Sequence, residues 1–378
     1  MNNTYCIFSA LYFPHMGGVE KYTGNLAREL AALGNDVIIV TNNTEGAPER
    51  ECEGPIRIFR LPCKKAMGGR FPITRSTAQA ASIWEELREA GIGRVIVNTR
   101  FYPLSLMGIR FAQELGCTPI LIDHGSAHLT VGSPLADIAI QAVEHAMTFV
   151  AKRRPFRCFC VSAKSLAWVR HFGIEGEGVL NNSINARAFR ESASSRDFRT
   201  QLGLGQDAFL VAFTGRLAPE KGVSQLAEAA RLLNGTEVHV LIAGDGALRE
   251  QLESGKTPNL HLLGALRPED VAALLLQCDA FCMPTRSEGF STSLLEAASC
   301  GLALITTDVG GVDELVPSPE YGRVIPSADP RKIAQAIREL EEDRNLCRSL
   351  GQNARQRTEE LFTWKKTAQK VEAAFEGR

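Results

Sequence analysis

The stretch LVAFTGRLAPEKG, residues 210–222, contains the pattern that decides the fold. Its first five residues form a short, mostly apolar run, which is typical of a strand covered on both faces. A loop with glycine, arginine, proline and lysine follows at once. The stretch therefore predicts a buried strand that ends in a charged loop.

The same alternation of strand and helix continues along the chain in both directions. Helical spacing is clearest in Glu20–Leu33, where Leu26, Leu30 and Leu33 share one face and Gly34 ends the helix. Alternating β and α units indicate an α/β fold with parallel sheets. The predicted strands are Cys6–Leu11, Asp36–Thr41, Arg57–Leu61, Arg94–Asn98, Pro119–Asp123, Phe159–Ser162, Leu210–Thr214, Glu237–Ala243, Leu260–Leu263, Ala280–Met283, Ala303–Thr306 and Gly322–Val324.

The alternation pauses once, in a polar stretch at residues 181–207 that lacks a strand pattern. We interpret this stretch as the connection between two α/β domains of similar size, residues 1–185 and 186–361. The length of 378 residues is compatible with two to three domains.

Composition excludes several classes of protein. Hydrophobic residues make up 44% and charged residues 22%, as in ordinary globular proteins. No run approaches the roughly 18 apolar residues that cross a bilayer. Residues 1–5 lack the basic start of a signal peptide, so we expect a cytoplasmic protein. The ten cysteines lack paired metal-ligand spacing, and we interpret them as buried thiols.

Charge is distributed unevenly. Residues 1–190 contain 21 Lys and Arg against 16 Asp and Glu, whereas residues 191–378 contain 21 against 27. This is not the profile of a nucleic-acid-binding protein, which needs a clustered basic surface. The basic first half is nevertheless suited to approach an anionic partner.

Ligands of open α/β sheets bind beyond the carboxyl ends of the strands, so the loops at these ends are the candidate sites. Gly17 and Gly18 lie in the first such loop, just before a helix, where backbone amides favour an anion. The loop does not have the GxGxxG spacing of dehydrogenases. A plain strand-to-helix turn is the alternative interpretation.

Two cations, Arg216 and Lys221, stand five residues apart in the loop of residues 215–222. An arginine fork and a lysine ammonium on one loop can converge on a pyrophosphate. The loop is not a Walker motif. The alternative is a solvated loop with two surface cations.

Two carboxylates, Glu288 and Glu296, flank a loop of small residues that leads into a helix near Ser293. In a helix they would lie ~12 Å apart. A glycosidase pair needs roughly 5–9.5 Å, so two groups of one ligand are better candidates. Alternatively, Ser293 and Glu296 form a capping box.

His124 closes a strand and can contact a ligand, although a structural hydrogen-bonding role is the alternative. The turn of residues 244–246 needs no function.

Taken together, these motifs resemble the retaining glycosyltransferases of family 4, which have the GT-B fold of two Rossmann-like domains facing a cleft. The resemblance covers nearly the whole chain. It rests on the glycine loop at residues 17–20, the G-R-x4-K-G segment at 215–222, the turn at 243–246 and the E-x7-E segment at 288–296. Residues 362–378 resemble the final helix of the family, which crosses back onto the first domain. The family often has N-G-V-D at the interdomain connection, where this chain has Asn182–Asn185.

The resemblance implies transfer of a hexosyl unit from a nucleotide diphosphate sugar, with UDP- or GDP-sugars as donors. Arg216 and Lys221 would neutralise the diphosphate, so that neither metal nor cofactor is required. The other implied roles are ribose contact by Glu296, sugar contact by Glu288, Gly289, Phe290, Ser291 and His124, base contact through the backbone of Leu266, and phosphate contact by Gly17 and Gly18.

The acceptor is expected on the first domain, as a glycan or a lipid-linked molecule of polysaccharide or glycoconjugate biosynthesis. Basic residues alternate with phenylalanines at 64–75 and 149–157, which is compatible with peripheral binding to an anionic membrane surface. A solvated charged face is the alternative. For function, the alternatives are a nucleotide-sugar epimerase of related fold and an inactive sugar-nucleotide-binding subunit.

Overall fold

The protein consists of two compact α/β units. A computed structural model describes residues 4–66, 69, 71–128 and 134–377. One unit comprises Met1–Asn182 and Trp364–Arg378, and the other comprises Ser183–Thr363. The chain therefore passes between the units twice, first inside the polar stretch that interrupts the strand pattern.

The strands alternate with the helices as the sequence predicts. In unit 1 the strands are β1 (Thr4–Ser9), β2 (Asp36–Asn42), β3 (Arg50–Glu53), β4 (Ile56–Leu61), β5 (Cys63–Ala66), β6 (Phe71–Thr74), β7 (Ile92–Asn98), β8 (Ile120–Asp123), β9 (Arg157–Cys160) and β10 (Gly176–Val179). In unit 2 they are β11 (Phe209–Thr214), β12 (Val238–Ala243), β13 (Leu260–Gly264), β14 (Ala280–Met283), β15 (Ala303–Thr307) and β16 (Arg323–Ile325).

Helices connect most of these strands. Those of unit 1 are α1 (Gly18–Ala32), α2 (Ala78–Glu89), α3 (Pro103–Glu114), α4 (Pro134–Ala151) and α5 (Ala163–Val169). Those of unit 2 are α6 (Ala186–Glu191), α7 (Phe198–Leu202), α8 (Val223–Leu232), α9 (Arg249–Ser254), α10 (Pro268–Leu276), α11 (Thr292–Ser299), α12 (Val312–Leu315), α13 (Pro330–Glu342) and α14 (Arg344–Leu361). The chain then returns to unit 1 as α15 (Trp364–Glu376).

The sheet of unit 1 has the order β10-β9-β8-β7-β1-β2-β4-β3. Its strands pair in parallel, except that β3 pairs antiparallel with β4. The central strand β1 is buried along its whole length, which explains its apolar sequence. Because the order reverses between β1 and β7, the loops after these two strands flank a crevice.

The sheet of unit 2 is entirely parallel, in the order β13-β12-β11-β14-β15-β16. Counted from β11, this is the doubly wound order 3-2-1-4-5-6 of the Rossmann fold. The order reverses between β11 and β14. The loops of residues 215–222 and 284–291 therefore leave the sheet side by side.

The final helix, α15, packs on the first unit, as predicted. The ring of Trp364 lies edge-on against Tyr22, with 5.2 Å between centroids, and Phe375 contacts Tyr5 at 5.7 Å. Thr367 donates a hydrogen bond of 3.1 Å to the carbonyl of Asn181. The helix thus completes the core of unit 1.

Each of the twelve predicted strands is present, and the structure adds four that the sequence did not predict: β3, β5, β6 and β10. The first three contain exposed polar residues, and β10 has the sequence Gly-Glu-Gly-Val. Such strands lie at sheet edges or in a small ribbon, where no apolar run is required. Within the described ranges, no helix is both long enough and apolar enough to cross a membrane.

Candidate active site

In unit 2, the predicted donor residues lie on the two loops at the point where the strand order reverses. The loop of residues 215–222 follows β11, and that of residues 284–291 follows β14. The two loops are joined by hydrogen bonds from the Arg286 amide and the Thr285 hydroxyl to the Glu220 carbonyl, at 2.8 and 3.0 Å. The loops therefore form one connected surface.

Gly222 makes the close approach of the two loops possible. Its φ is +70°, a left-handed conformation, and a Cβ at this position would lie 2.0 Å from the Pro284 carbonyl oxygen. No larger residue fits without moving the backbone. The adjacent turn is equally tight, since a Cβ on Gly244 would lie 1.8 Å from the Gly215 carbonyl oxygen. The turn for which the sequence demanded no function thus shapes the loop that carries Arg216.

The two predicted phosphate-binding cations differ in their surroundings. The ammonium of Lys221 forms an ion pair with Glu288, and both side chains are largely buried, at 16% and 17% exposure. Arg216 is 61% exposed and lies 3.2 Å from Glu220 on its own loop. Lys221 is therefore held by a carboxylate from the neighbouring loop, whereas Arg216 extends into solvent.

The segment of Glu288–Glu296 enters α11, whose cap differs from the prediction. The helix begins at Thr292, and the hydroxyl of Ser291 accepts the cap hydrogen bond from the Leu294 amide at 3.3 Å. The capping box expected at Ser293 is therefore wrong, because the helix begins one residue earlier than that box requires. The interpretation of Glu296 as a capping residue is removed with it, and its half-buried side chain lies on the first turns of α11.

Phe290 and Leu266 hold their loops by packing. Phe290 is 8% exposed and contacts Phe362 with 5.3 Å between ring centroids. Leu266, between β13 and α10, packs its side chain against an apolar cluster that includes Leu241 and Ala243. Its side chain thus points into the core, which leaves its backbone as the part suited to ligand contact.

Unit 1 has its own cavity, of about 170 Å³, at the carboxyl ends of β1, β7 and β8. The walls contain carboxylate, imidazole, amide and phenol groups beside apolar ones. The lining residues are Ser9, Ala10, Leu11, Val19, Glu20, Asn98, Thr99, Arg100, Phe101, Tyr102, His124, Gly125, Ala127 and Glu144. Such a mixture suits a polyhydroxylated ligand.

Gly17 and Gly18 immediately precede Val19 and Glu20 of this cavity wall. Gly17 is the N-cap residue of α1, and a Cβ there would lie 2.3 Å from a carboxylate oxygen of Glu20. The glycine thus leaves room for Glu20, which is 5% exposed. Burial raises the pKa of Glu20. Sequence reasoning assigned this residue no role, although it directly follows the glycine loop.

His124 lies in the same wall and is fixed by two contacts. Its Nε2 is 3.0 Å from the side-chain oxygen of Asn98, and its ring meets Tyr22 edge-on at 4.7 Å. Burial lowers the pKa of His124 to about 4, and Asp123 opposes this shift. The imidazole is therefore neutral near pH 7 and offers a hydrogen bond rather than a charge.

A buried ion network supports the cavity, and the sequence did not predict it. Arg100 is fully buried, donates to Asp123 at 2.6 Å and forms a second ion pair with Glu144. Asp123 also accepts a hydrogen bond from the Gly125 amide at 3.0 Å. An available signal was that Arg100 and Asp123 both stand at the ends of predicted strands.

The structure thus places the predicted site residues in two groups. Arg216, Lys221, Leu266 and the segment of Glu288–Glu296 lie at the carboxyl edge of the second sheet. Gly17, Gly18 and His124 lie at the carboxyl edge of the first.

Comparisons with known proteins agree with this architecture. The profile described as Glycosyltransferase Family 4 matches residues 16–180, and that described as Glycosyl transferases group 1 matches residues 194–357. One component of human phosphatidylinositol N-acetylglucosaminyltransferase is 24% identical over 98% of this chain and 75% of its own. Sucrose-phosphate synthase from Thermosynechococcus elongatus has a TM-score of 0.76 at 20% identity, covering 99% of this chain and 98% of the other. Anabaena HepE in complex with UDP-glucose has a TM-score of 0.73 at 17% identity, covering 99% and 100%.

The fold is therefore that of the GT-B glycosyltransferases, as predicted. With both halves of the chain matched, the protein belongs to the glycosyltransferases of family 4.

Proposed function

We propose that this glycosyltransferase moves a hexosyl unit from a UDP- or GDP-sugar to a glycan or lipid-linked acceptor of polysaccharide or glycoconjugate synthesis. The observation that carries the proposal is the ion pair of Lys221 and Glu288 at the strand-order reversal of unit 2. A diphosphate bound here would compete with Glu288 for the ammonium. Glu288 would then turn to the hydroxyl groups of the sugar.

The proposed donor site needs no metal ion. Arg216 and Lys221 supply two positive charges on one loop, which suffices to offset the charge of a diphosphate leaving group. Glu296 would hold the ribose hydroxyls, and the amides of Gly289, Phe290 and Ser291 would hold the sugar. Leu266 would contact the base through its backbone, and Gly17 and Gly18 the phosphates.

We further propose retention of anomeric configuration. The acceptor oxygen would attack the anomeric carbon on the face from which the diphosphate departs. As the bond from that carbon to the leaving oxygen breaks, a phosphate oxygen takes the acceptor proton. In this route no protein group becomes covalently attached to the sugar, and the neutral imidazole of His124 contributes a hydrogen bond.

The identity of the relatives supports this choice of substrates. HepE has been solved with UDP-glucose, which supports a uridine donor here. The name of the human relative includes phosphatidylinositol, which supports a lipid-linked acceptor. We propose the cavity of unit 1 as the acceptor-binding region, with Glu20 among its polar groups.

We also propose that unit 1 rests on an anionic membrane surface at the cytosolic face. Helix α4 exposes large apolar side chains, among them Leu135 at 83%, Ile138 at 64% and Phe149 at 59%. Residues 152–154, Lys-Arg-Arg, follow directly at its end. An exposed apolar stripe beside cations matches an interfacial helix.

The basic residues themselves contribute less to this surface than the sequence indicated. Lys152 donates to the Phe172 carbonyl at 2.8 Å, and Arg157 pairs with Glu177. Arg153 lies over the ring of Phe149 at 4.8 Å. Lys64 and Lys65 are exposed on β5, and Arg70 lies outside the described residues. The apolar face of α4, which the sequence analysis did not single out, is the stronger part of the case.

The first test is a thermal-shift panel of UDP, GDP, ADP and their common sugars, with and without chelator. Ligand at a hundredfold excess over Kd raises apparent stability by ~2.7 kcal/mol. A shift with one nucleotide that persists in chelator supports the metal-free donor site. No shift with any nucleotide would overturn the proposal. Product analysis then separates transfer from epimerisation, because an epimerase converts the nucleotide sugar without acceptor and an inactive protein binds without turnover.

A further inference from the structure

Three histidines converge at one point of unit 1, away from the donor loops. His128 follows β8, His145 lies on α4, and His171 lies in a short 3-10 helix of residues 170–172. One ring nitrogen from each lies within 4.8 Å of the others. Among the residues that the structure describes, this is the one group of three metal-ligating side chains so arranged.

The surroundings orient one of the three rings as in a metal site. Nδ1 of His128 lies 2.8 Å from Oε2 of Glu144. Glu144 is 2% exposed and also pairs with Arg100, so it is an ionised carboxylate that can only accept hydrogen bonds. Nδ1 of His128 must therefore donate, which leaves the lone pair of Nε2 available. Metal-binding histidines typically have this carboxylate behind them.

The local charge also favours a cation. The buried group of Arg100, Asp123 and Glu144 contains one positive and two negative charges, all at 0–2% exposure. The group therefore has a formal charge of −1. Buried charges require compensation, and His128 connects this excess directly to the histidine cluster.

We propose that His128, His145 and His171 bind a divalent transition-metal ion of the zinc type. Three imidazoles are a common donor set for such ions, with a water molecule in the fourth position. Zinc at ~2.05 Å from each nitrogen holds the nitrogens ~3.3 Å apart in a tetrahedron. His145 and His171 are exposed, so rotation of their side chains can close the present spacing.

The ion would serve structure rather than the chemistry of transfer. It would tie the segment after β8 to α4 and to the 3-10 helix. Through Glu144 and Arg100 it would stabilise the wall of the cavity, which both residues line. The proposal is independent of the proposed function, because the cluster contains none of the donor residues.

The test uses the full-length protein without an affinity tag, stripped with a chelator and then titrated with Co²⁺. We expect one equivalent to bind with the visible absorption of a tetrahedral site, and Zn²⁺ to abolish that absorption. His145→Ala and His171→Ala should each weaken binding by at least about tenfold, and Glu144→Gln by about 10–100-fold. Circular dichroism checks that each variant is folded, and His145, being exposed, is the variant least able to disturb the fold.

The matched controls are His239→Ala and His261→Ala in unit 2. These two rings also lie close together, with 3.1 Å between Nδ1 and Nε2, but among the described residues no third ligand joins them. The controls should retain the tetrahedral absorption. Absence of that absorption, or binding that is unchanged by His145→Ala and His171→Ala, would overturn the proposal and leave a cluster of packed aromatic rings. Nucleotide-induced thermal shifts in the stripped protein test the donor site separately.

Discussion

Lys221 and Glu288 form an ion pair that connects the loop after β11 to the loop after β14. The pair lies where the strand order of the second sheet reverses, which is where doubly wound sheets bind their ligands. It keeps the ammonium occupied until another anion arrives. A change to either partner, or to the loop that holds it, should therefore alter nucleotide binding or turnover.

Replacing Lys221 or Arg216 with alanine should lower turnover by roughly 10²–10³, the usual effect of losing one strong transition-state donor. Arg231→Ala is the matched control, because Arg231 is 60% exposed and pairs with Glu228, much as Arg216 pairs with Glu220. Initial rates with the preferred nucleotide sugar provide the measurement. Near-normal turnover in both Lys221→Ala and Arg216→Ala would refute the assignment of the donor site.

Glu288→Gln should separate binding from turnover. The amide no longer competes for Lys221, so we expect the affinity for the free nucleotide diphosphate to rise several-fold. Transfer should fall by at least about tenfold, because the substituted side chain holds the sugar less well. Calorimetry gives the Kd of the nucleotide and steady-state kinetics give kcat. A variant that binds nucleotide more weakly than the unmodified protein would contradict competition within the pair.

Gly222→Ala should damage the donor site through its backbone. Both Gly222 and Gly235 have left-handed φ values, of +70° and +90°, but only Gly222 has a backbone oxygen in the way. Gly235→Ala therefore measures strain alone, roughly 1–2 kcal/mol. We expect Gly222→Ala to lower the free energy of unfolding by at least about 1 kcal/mol more, since overpacking adds to the strain. Urea denaturation measures both, and equal losses would argue against the contact with Pro284.

Acidification should destabilise the protein partly through His124. Because the pKa of His124 is lowered to about 4 in the folded state, the unfolded state takes up the proton first. The contribution of His124 is complete above about pH 6.5 and is lost as the pH falls towards 4, amounting to about 2 kcal/mol by pH 5. His261, whose pKa is also lowered to about 4, acts in the same direction, whereas the raised pKa of Glu20 acts in the opposite one.

His124→Asn isolates this effect, because asparagine can still bond to Asn98. The variant should lose less stability between pH 7.5 and pH 5 than the unmodified protein in urea denaturation. An identical loss would show that His124 is protonated already in the folded state.

The apolar face of α4 predicts binding to membranes. Sedimentation with anionic vesicles at low salt should capture the protein, and Ile138→Ser with Phe149→Ser should abolish capture. Val324→Ser changes an exposed apolar residue of unit 2, at 42% exposure, and should have no effect. Equal capture of all variants, or no capture of the unmodified protein, would exclude this surface.

The sequence predicted those features that neighbouring residues encode. Buried strands such as β11 are continuous apolar runs, and the loops after them contain the charged residues, so both could be located. Edge strands such as β3 escaped prediction because their polar side chains face solvent. The start of α11 was misplaced by one residue, since serines stand at both 291 and 293 and only the backbone decides between them.

Features that depend on distant residues could not be predicted. Arg100 pairs with residues 23 and 44 positions away, and only the order of β7 and β8 in the sheet, together with the packing of α4, brings them together. The histidine cluster is similar, because its members lie on three separate elements. In each case the side chains are unremarkable until the fold is known.

The return of α15 to the first unit has a consequence for biosynthesis. Residues 364–376 leave the ribosome only after the whole of Ser183–Thr363 has been made. Tyr5, Tyr22 and Asn35 meet Phe375, Trp364 and Glu372 only then. The half of the protein that is translated first is thus the last to be completed, and until that moment it exposes an unfinished apolar surface, the kind of species that chaperones protect.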